Sequence, residues 1–280
     1  MTHTLAPRYL GGKISVDLVG AGGNGSQMLT GLARLHLALL ALGHPGGLAV
    51  RVIDPDPVSD ANVGRQMFSP ADVGFPKATV LVHRINMFFG LDWTAHCQPY
   101  QNVGHAGDLV IGCVDTAAAR RSIATAVKAR WNAYWLDLGN EENTGQVVLG
   151  RWVKRLDQDS GQRLPLVTEL FPALLDKKQA ESDAPSCSLA EALGKQDLFV
   201  NQTVATLALN LLWRLFRHGR IEHHGYFINL AFGSVVPMPV NPAAWARLRK
   251  AKPAKTQRKT QRGTRAAKPK PRQRTAHNRP

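Results

Sequence analysis

Residues 14–25 read I-S-V-D-L-V-G-A-G-G-N-G, and the rest of the chain can be read outward from this stretch. The first six residues form a short β-rich run that stops at Gly20. Gly20, Gly22, Gly23 and Gly25 then follow in the pattern GxGxxG. Glycines so spaced let the backbone turn tightly and approach a phosphate, and the helix that follows offers free N–H groups and the positive end of its dipole. A helical pattern rich in Leu and Ala covers 26–42, and 48–53 reads as a second strand ending at Asp54. Together these make a β–α–β unit with a glycine turn after its first strand. Taken alone, the pattern also fits a glycine turn that holds no ligand.

Beyond this unit the alternation continues. Residues 77–89 carry Val80, Leu81, Ile85 and Phe88 at helical spacing. Residues 108–114 (DLVIGCV) read as a buried strand, 117–130 as a helix, and 135–138 and 145–149 as strands. Alternating strands and helices imply a Rossmann-like, doubly wound α/β fold with a mostly parallel sheet covered on both faces. After 151 the pattern loosens, and 154–197 reads as a loop or crossover region. A strong helix follows over 198–216, with Val200, Val204, Leu207, Leu211 and Leu215 recurring every three or four residues, then short strands at 226–230 and 234–238. The reading is one domain over 1–241 with a less regular C-terminal part, and a disordered basic tail over 242–280.

The 280 residues carry a net charge of +15, which suggests nucleic acid until it is located. Residues 241–280 hold 14 Lys/Arg and no acid, while residues 1–240 hold 21 basic and 20 acidic residues, so the basicity belongs to the tail. Residues 247–280 have no aromatics for base stacking. They suit weak, non-specific, salt-sensitive phosphate contacts or a solubilising extension. The three cysteines, Cys97, Cys113 and Cys187, form no CxxC pair, which argues against a structural zinc or a disulfide framework. The N-terminus lacks the apolar segment of a signal peptide, and the longest apolar run, 204–216, is too short to span a bilayer. A cytoplasmic protein with no membrane partner is expected.

An acid at the end of the second strand binds a nucleotide ribose, and Asp54 fills that place. It serves NAD and ATP alike. The segment after it separates them, because it carries Asn62, Arg65 and Gln66, followed by Lys77 at the next helix start. Arg and Lys neutralise phosphates and stabilise the charge growing on a leaving group, which suits a triphosphate better than a hydride transfer. Asp115 follows the 108–114 strand at the edge where such folds bind ligands. A lone carboxylate there suits Mg²⁺, which needs few protein ligands besides phosphates. Each residue has a plainer role open to it: a turn cap for Asp54, solvated charges for Arg65 and Lys77, a helix N-cap for Asp115.

The order Gly20–Gly25, Asp54/Asp56, Asn62 to Gln66, Gly74 to Lys77 and Cys113 to Thr116 resembles the ThiF/HesA/MoeB superfamily of ubiquitin-activating-type adenylating enzymes. The basic tail and Pro185-Ser186-Cys187-Ser188 most resemble the ThiF-family protein of PRTRC cassettes. The resemblance implies ATP and Mg²⁺ as cofactors and adenylation of the C-terminal carboxylate of a small ubiquitin-like or sulfur-carrier-like protein. It implies that Gly20, Gly22, Gly23 and Gly25 line the nucleotide and that Asp54 and Asp56 lie at the ribose. Asn62, Arg65 and Lys77 would contact the phosphates, Asp115 would hold Mg²⁺, and Gln66 and Thr116 would also bind the nucleotide. Arg65, Lys77 and Asp115 would carry catalysis. It also implies a homodimer in which an N-terminal arginine reaches the neighbouring site, a part open only to Arg8 here.

Cys187, in a polar segment, is the candidate for a thioester-forming cysteine, although Asp183 would disfavour its thiolate. Its alternative is a structural or incidental thiol. Cys97 and Cys113 read as buried small apolar residues, Trp131 and Trp135 as core, and His223-His224 as a pair pointing apart rather than a metal site. Two rivals remain. One is an NAD(P)-dependent oxidoreductase, and the other a nucleotide-binding scaffold whose tail holds nucleic acid.

Overall fold

The computed structural model describes residues 1–153, 163–176 and 196–250. Strand β1 (His3–Thr4) opens the chain, followed by β2 (Ile14–Val19), helix α1 (Gly23–Ala41) and β3 (Leu48–Ile53). Helix α2 (Lys77–Phe89) leads to β4 (Thr94–His96), β5 (Leu109–Gly112), α3 (Ala117–Ala129), β6 (Tyr134–Asn140) and β7 (Thr144–Arg151). Then come the single turn α4 (Val167–Leu170), the long helix α5 (Val200–His218), β8 (Arg220–Ile221), β9 (His223–Asn229), β10 (Ser234–Pro239) and α6 (Pro242–Lys250).

One eight-stranded sheet runs in the order β10-β9-β7-β6-β5-β2-β3-β4, and β1 pairs with β8 apart from it. The five strands β6, β5, β2, β3 and β4 are parallel neighbours, while β7, β9 and β10 are added antiparallel. The expected mostly parallel, doubly wound α/β sheet is therefore present, with an antiparallel extension at one side. β6 and β7 are joined by a short turn, which permits only antiparallel pairing. From β2 the chain works outward through β3 to the β4 edge, then returns to lay β5 on the other side of β2. The strand order thus reverses beside β2, and in open α/β sheets ligands bind at such a reversal, outside the carboxyl ends of the strands.

Strand alternation divides the core in two. Ile14, Val16 and Leu18 of β2, with Tyr134, Leu136 and Leu138 of β6, face α1, α2 and α5. Val110 of β5 and Trp135 of β6 face α3 and α4. The apolar stripe of α5 buries Val200, Val204, Leu211 and Leu215 and packs against α1.

Three expectations are corrected. Order does not fade at 242, because Pro242–Lys250 forms α6, whose Trp245 and Leu248 pack against the sheet. The run of basic residues concealed one apolar face with Trp245 and Leu248 on it. Cys97 is exposed rather than buried, since it follows the three-residue strand at the sheet edge. Trp131 is exposed, whereas Trp135 is in the core as expected. Among the described residues no helix is long and apolar enough to cross a membrane.

Candidate nucleotide site

The turn after β2 is held by buried contacts. Gly20 has φ of 91°, a conformation that favours glycine. Its N–H donates to the Ile53 carbonyl (2.9 Å), and a Cβ on it would lie 2.5 Å from the Cys113 carbonyl oxygen. A Cβ on Gly25 would collide with the Gly20 carbonyl. Gly20 and Gly25 therefore let the helix start against its own turn and against the end of β5. Gly22 is different, because a Cβ there would meet only the Gln66 amide at 4.0 Å. Gly22 is the N-cap of α1 with no side-chain cap, and no acid lies in the first turn. The first N–H groups of a 19-residue helix are thus left for an anion.

Asp54 is buried, and its carboxylate is already engaged. One oxygen accepts the Ala21 N–H (2.6 Å) and the other the Asp56 N–H (2.8 Å). Burial pushes its pKa up, and the two N–H donors and Lys77 oppose that. Its observed role is to tie the glycine turn to the end of β3. Asp56 is exposed and pairs with the Lys77 ammonium at 3.1 Å. The Lys77 N–H also donates to the Asp56 carbonyl (3.0 Å), which anchors the start of α2 beside the end of β3. Asn62 does not present its carbonyl oxygen to a ligand, because that oxygen accepts the Ser59 N–H (2.9 Å) and closes a local turn.

Arg65 is half-buried, and its Nη1 donates to Gln196 Oε1 (2.7 Å). Its Nε is buried with no partner, and burial pushes its pKa down. Gln66 is buried against Gly22 with its Oε1 unpartnered. Asn24 Nδ2 donates to Asn140 Oδ1 (2.8 Å), leaving Asn24 Oδ1 and Asn140 Nδ2 unpartnered. Buried polar groups without partners are uncommon, and here Asn24, Arg65, Gln66 and Asn140 cluster round one turn. That cluster is the donor and acceptor set a polar ligand would complete.

Asp115 lies three residues beyond β5, and the Cys113 carbonyl just before it packs on Gly20. Its carboxylate is exposed and pairs with no described residue. It does not cap α3; Thr116 does, its hydroxyl accepting the Ala119 N–H (3.2 Å). An unpaired carboxylate at the edge could hold a cation such as Mg²⁺, which takes most ligands from phosphates and water.

The loops after β2, β3 and β5 therefore meet at the reversal point and bring together Gly20–Gly25, Asp54, Asp56, Gln66, Lys77, Asp115 and Thr116. Asn201, at the start of α5, faces Gly23, where a Cβ would lie 2.6 Å from its Cγ, and its Nδ2 donates to Gln196 (3.4 Å). Through Gln196, Arg65 is joined to the same point. Reasoning from the sequence missed Gln196, Asn201, Asn140 and Asp137. The available signals were the polar Asn201 opening an apolar helix and the acid within the apolar run YWLDLGN.

Within its own chain Arg8 lies away from the site. It binds its own chain at the opposite edge, donating to the Asn132 carbonyl (2.5 Å) and the Tyr9 hydroxyl (2.6 Å), with Asp108 at 3.8 Å. Cys187 lies outside the described residues. His223 and His224 do point apart. His223 meets the Tyr226 hydroxyl, and His224 is buried between the Leu149 carbonyl and the Trp245 indole.

The fold and site together define an α/β protein with a candidate ligand edge at the end of β2. The ThiF family matches residues 12–235, and the chain belongs to that family. Among solved structures it is similar to PaaA, at 14% identity and a TM-score of 0.52, over 81% of this chain and 64% of that one. It is similar to Escherichia coli MccB with ATP, at 14% identity and a TM-score of 0.52, over 81% and 63%. The microcin C7 biosynthetic enzyme MccB in complex with N-formylated MccA gives 15% identity and a TM-score of 0.53, over 81% and 65%. The chain spans under two thirds of the length of these structures. No curated protein is similar enough to count as a match.

Proposed function

We propose that this chain adenylates the C-terminal carboxylate of a small protein or peptide, using ATP and Mg²⁺. What supports the reading is that an uncapped helix N-terminus, the cations Arg65 and Lys77, and the unpaired Asp115 carboxylate all lie in the segments that follow β2, β3 and β5 at the reversal point. MccB, similar in fold, has been solved with ATP and in complex with N-formylated MccA, and both support the reading.

In the proposed reaction a carboxylate oxygen of the partner bonds to the α-phosphorus, and the bond from that phosphorus to the bridging oxygen of the β-phosphate breaks. Pyrophosphate leaves with the bond's electrons. No protein nucleophile is needed, so positioning and charge stabilisation carry the step. The N–H groups of α1 would hold phosphate oxygens. Arg65, poorly solvated and with Nε unspent, would meet the charge growing on the leaving group. Lys77 would do the same after exchanging Asp56 for a phosphate. Asp115, with Thr116 beside it, would hold Mg²⁺, whose chemistry is to neutralise the phosphates.

The finer reading is a ubiquitin-like or sulfur-carrier-like partner, with later transfer to Cys187 and assembly as a homodimer. It rests on the resemblance of motifs. ATP–pyrophosphate exchange by the purified chain with candidate small partners tests the reaction. Exchange should depend on an intact partner C-terminus, and Asp115→Ala should lower it about 100-fold or more. Exchange indifferent to Asp115 and to the partner's terminus, or tight NADH binding in its place, would overturn the reading.

A further inference from the structure

Asp115 is tied down at its carbonyl, and its carboxylate is left free. The Nη1 of Arg120 donates to the Asp115 main-chain oxygen at 3.2 Å. Arg120 sits in the first turns of α3 and is buried, and its Nε faces Asp137 Oδ1 at 3.4 Å. Asp137, on the neighbouring strand β6, is fully buried, and its other oxygen has no partner. Gly112, beside it on β5, leaves the pair its room, since a Cβ there would lie 3.3 Å from Asp137 Oδ1. The second Nη of Arg120 lies near Gly139, at the end of β6 next to the Asn24–Asn140 contact.

This is a poor bargain for stability. Burying an arginine and a carboxylate costs several kcal/mol per ion, recovered only with good geometry and saturated hydrogen bonds. Here the ions are 3.4 Å apart and one carboxylate oxygen is empty. The arrangement does, however, link Asp137, fixed in the sheet, to the short segment between β5 and α3 that carries Asp115. That segment is otherwise held by the Cys113 N–H on the Val19 carbonyl (2.8 Å), by the Thr116 cap and by the Arg120 main-chain N–H on the Thr116 carbonyl (3.2 Å). None of these bonds is to Asp115 itself.

We propose that Arg120, oriented by the buried Asp137, is a positioning residue that fixes the Asp115 main chain and so aims its carboxylate at the divalent cation of a metal–nucleoside triphosphate complex. The inference rests on the reading of Asp115 given above. Groups that orient a metal ligand commonly change metal affinity about 10–100-fold when altered. Arg120→Lys keeps the charge but loses the fork that spans the Asp137 carboxylate and the Asp115 carbonyl. Asp137→Asn is isosteric and removes the charge that orients the fork.

The test is calorimetric titration of the full-length chain with ATP, without divalent cation and with Mn²⁺, supported by Mn²⁺ electron paramagnetic resonance. Arg120→Lys should reduce the Mn²⁺-dependent gain in ATP affinity about 10-fold and broaden the bound-Mn²⁺ signal. Metal-free ATP binding should stay within about 2-fold of the unsubstituted chain, because the positioning acts only through the cation. Asp137→Asn should act in the same direction, and it decides the matter if Arg120→Lys fails to fold. An unchanged Mn²⁺ gain in the folded variants overturns the proposal, as does an equal loss with and without metal. Asp115→Asn is run alongside. If it too leaves the Mn²⁺ gain intact, the metal-holding role of Asp115 itself is what fails.

Discussion

Gly22 and Gly25 stand three residues apart in one turn and answer to different demands. A Cβ on Gly25 would run into the Gly20 carbonyl, so the fold itself needs this glycine. A Cβ on Gly22 would meet nothing closer than 4.0 Å, so the protein alone leaves that space open. Gly25→Ala is expected to cost about 1–3 kcal/mol of stability through forced backbone shifts, read as a lower denaturation midpoint. Gly22→Ala should melt close to the unsubstituted protein and weaken ATP binding about 10-fold, because a methyl stands where phosphate approaches the helix N-terminus. Equal ATP affinity in Gly22→Ala would remove the turn from the nucleotide site. Arg65 and Lys77 separate in a similar way. Arg65 is held by a neutral amide and its Nε is spare, whereas Lys77 must give up Asp56. Asp56→Asn should therefore leave exchange intact or raise it slightly at limiting ATP, while Lys77→Ala lowers it.

Helix α6 shows how an element can be hidden by its composition. Pro242–Lys250 reads as the start of a basic extension, yet Trp245 turns inward and its Nε1 donates to His224 Nε2 (2.8 Å). An indole nitrogen can only donate, so Nε2 carries no proton and the ring presents Nδ1–H to the Leu149 carbonyl (2.8 Å). Burial holds His224 neutral and lowers its pKa to about 4. The unfolded chain binds a proton near pH 6.5 and the folded chain only near 4. Stability from this group is therefore full above pH 6.5 and is lost as pH falls from there to 4, by an amount on the order of 3 kcal/mol. Urea unfolding at pH 7.5 and 4.5 should show this loss, and His224→Gln should flatten the slope over that interval. Trp245→Phe should release α6, seen as faster amide exchange over 242–250 with the sheet unchanged. Equal pH slopes in the His224→Gln and unsubstituted chains would refute the assignment.

At the scale of the whole molecule, charge and fold are nearly separate. Residues 251–280 carry eleven Lys/Arg and lie beyond the described structure. A chain ending at Lys250 should keep ATP–pyrophosphate exchange and lose any salt-sensitive affinity for single-stranded or duplex DNA, measured by anisotropy between 50 and 200 mM salt. Loss of exchange on truncation would show that the basic segment serves the reaction. Within the body, β2, β3, α1, α2 and α3 were legible as elements, and so was the glycine turn. So too were Asp54 and Asp115 as residues placed beyond strand ends, and Lys77 as the first residue of a helix. All of these are written in runs of a few residues, where side-chain period, glycine and the end of an apolar stretch act over one or two turns of chain. Sequence alone thus determined that a glycine turn opens a helix after β2 and which strand ends border it. Only the tertiary structure decided that Asp54 is spent on the turn's own N–H, that Asn201 and Gln196 close round Gly23 and Arg65, that Asp137 reaches Arg120, and that Arg8 is tied to the far edge. Those contacts join residues from 17 to more than a hundred positions apart. They come from strand order and from helices folding back over the sheet, and no local pattern of residues encodes such distances.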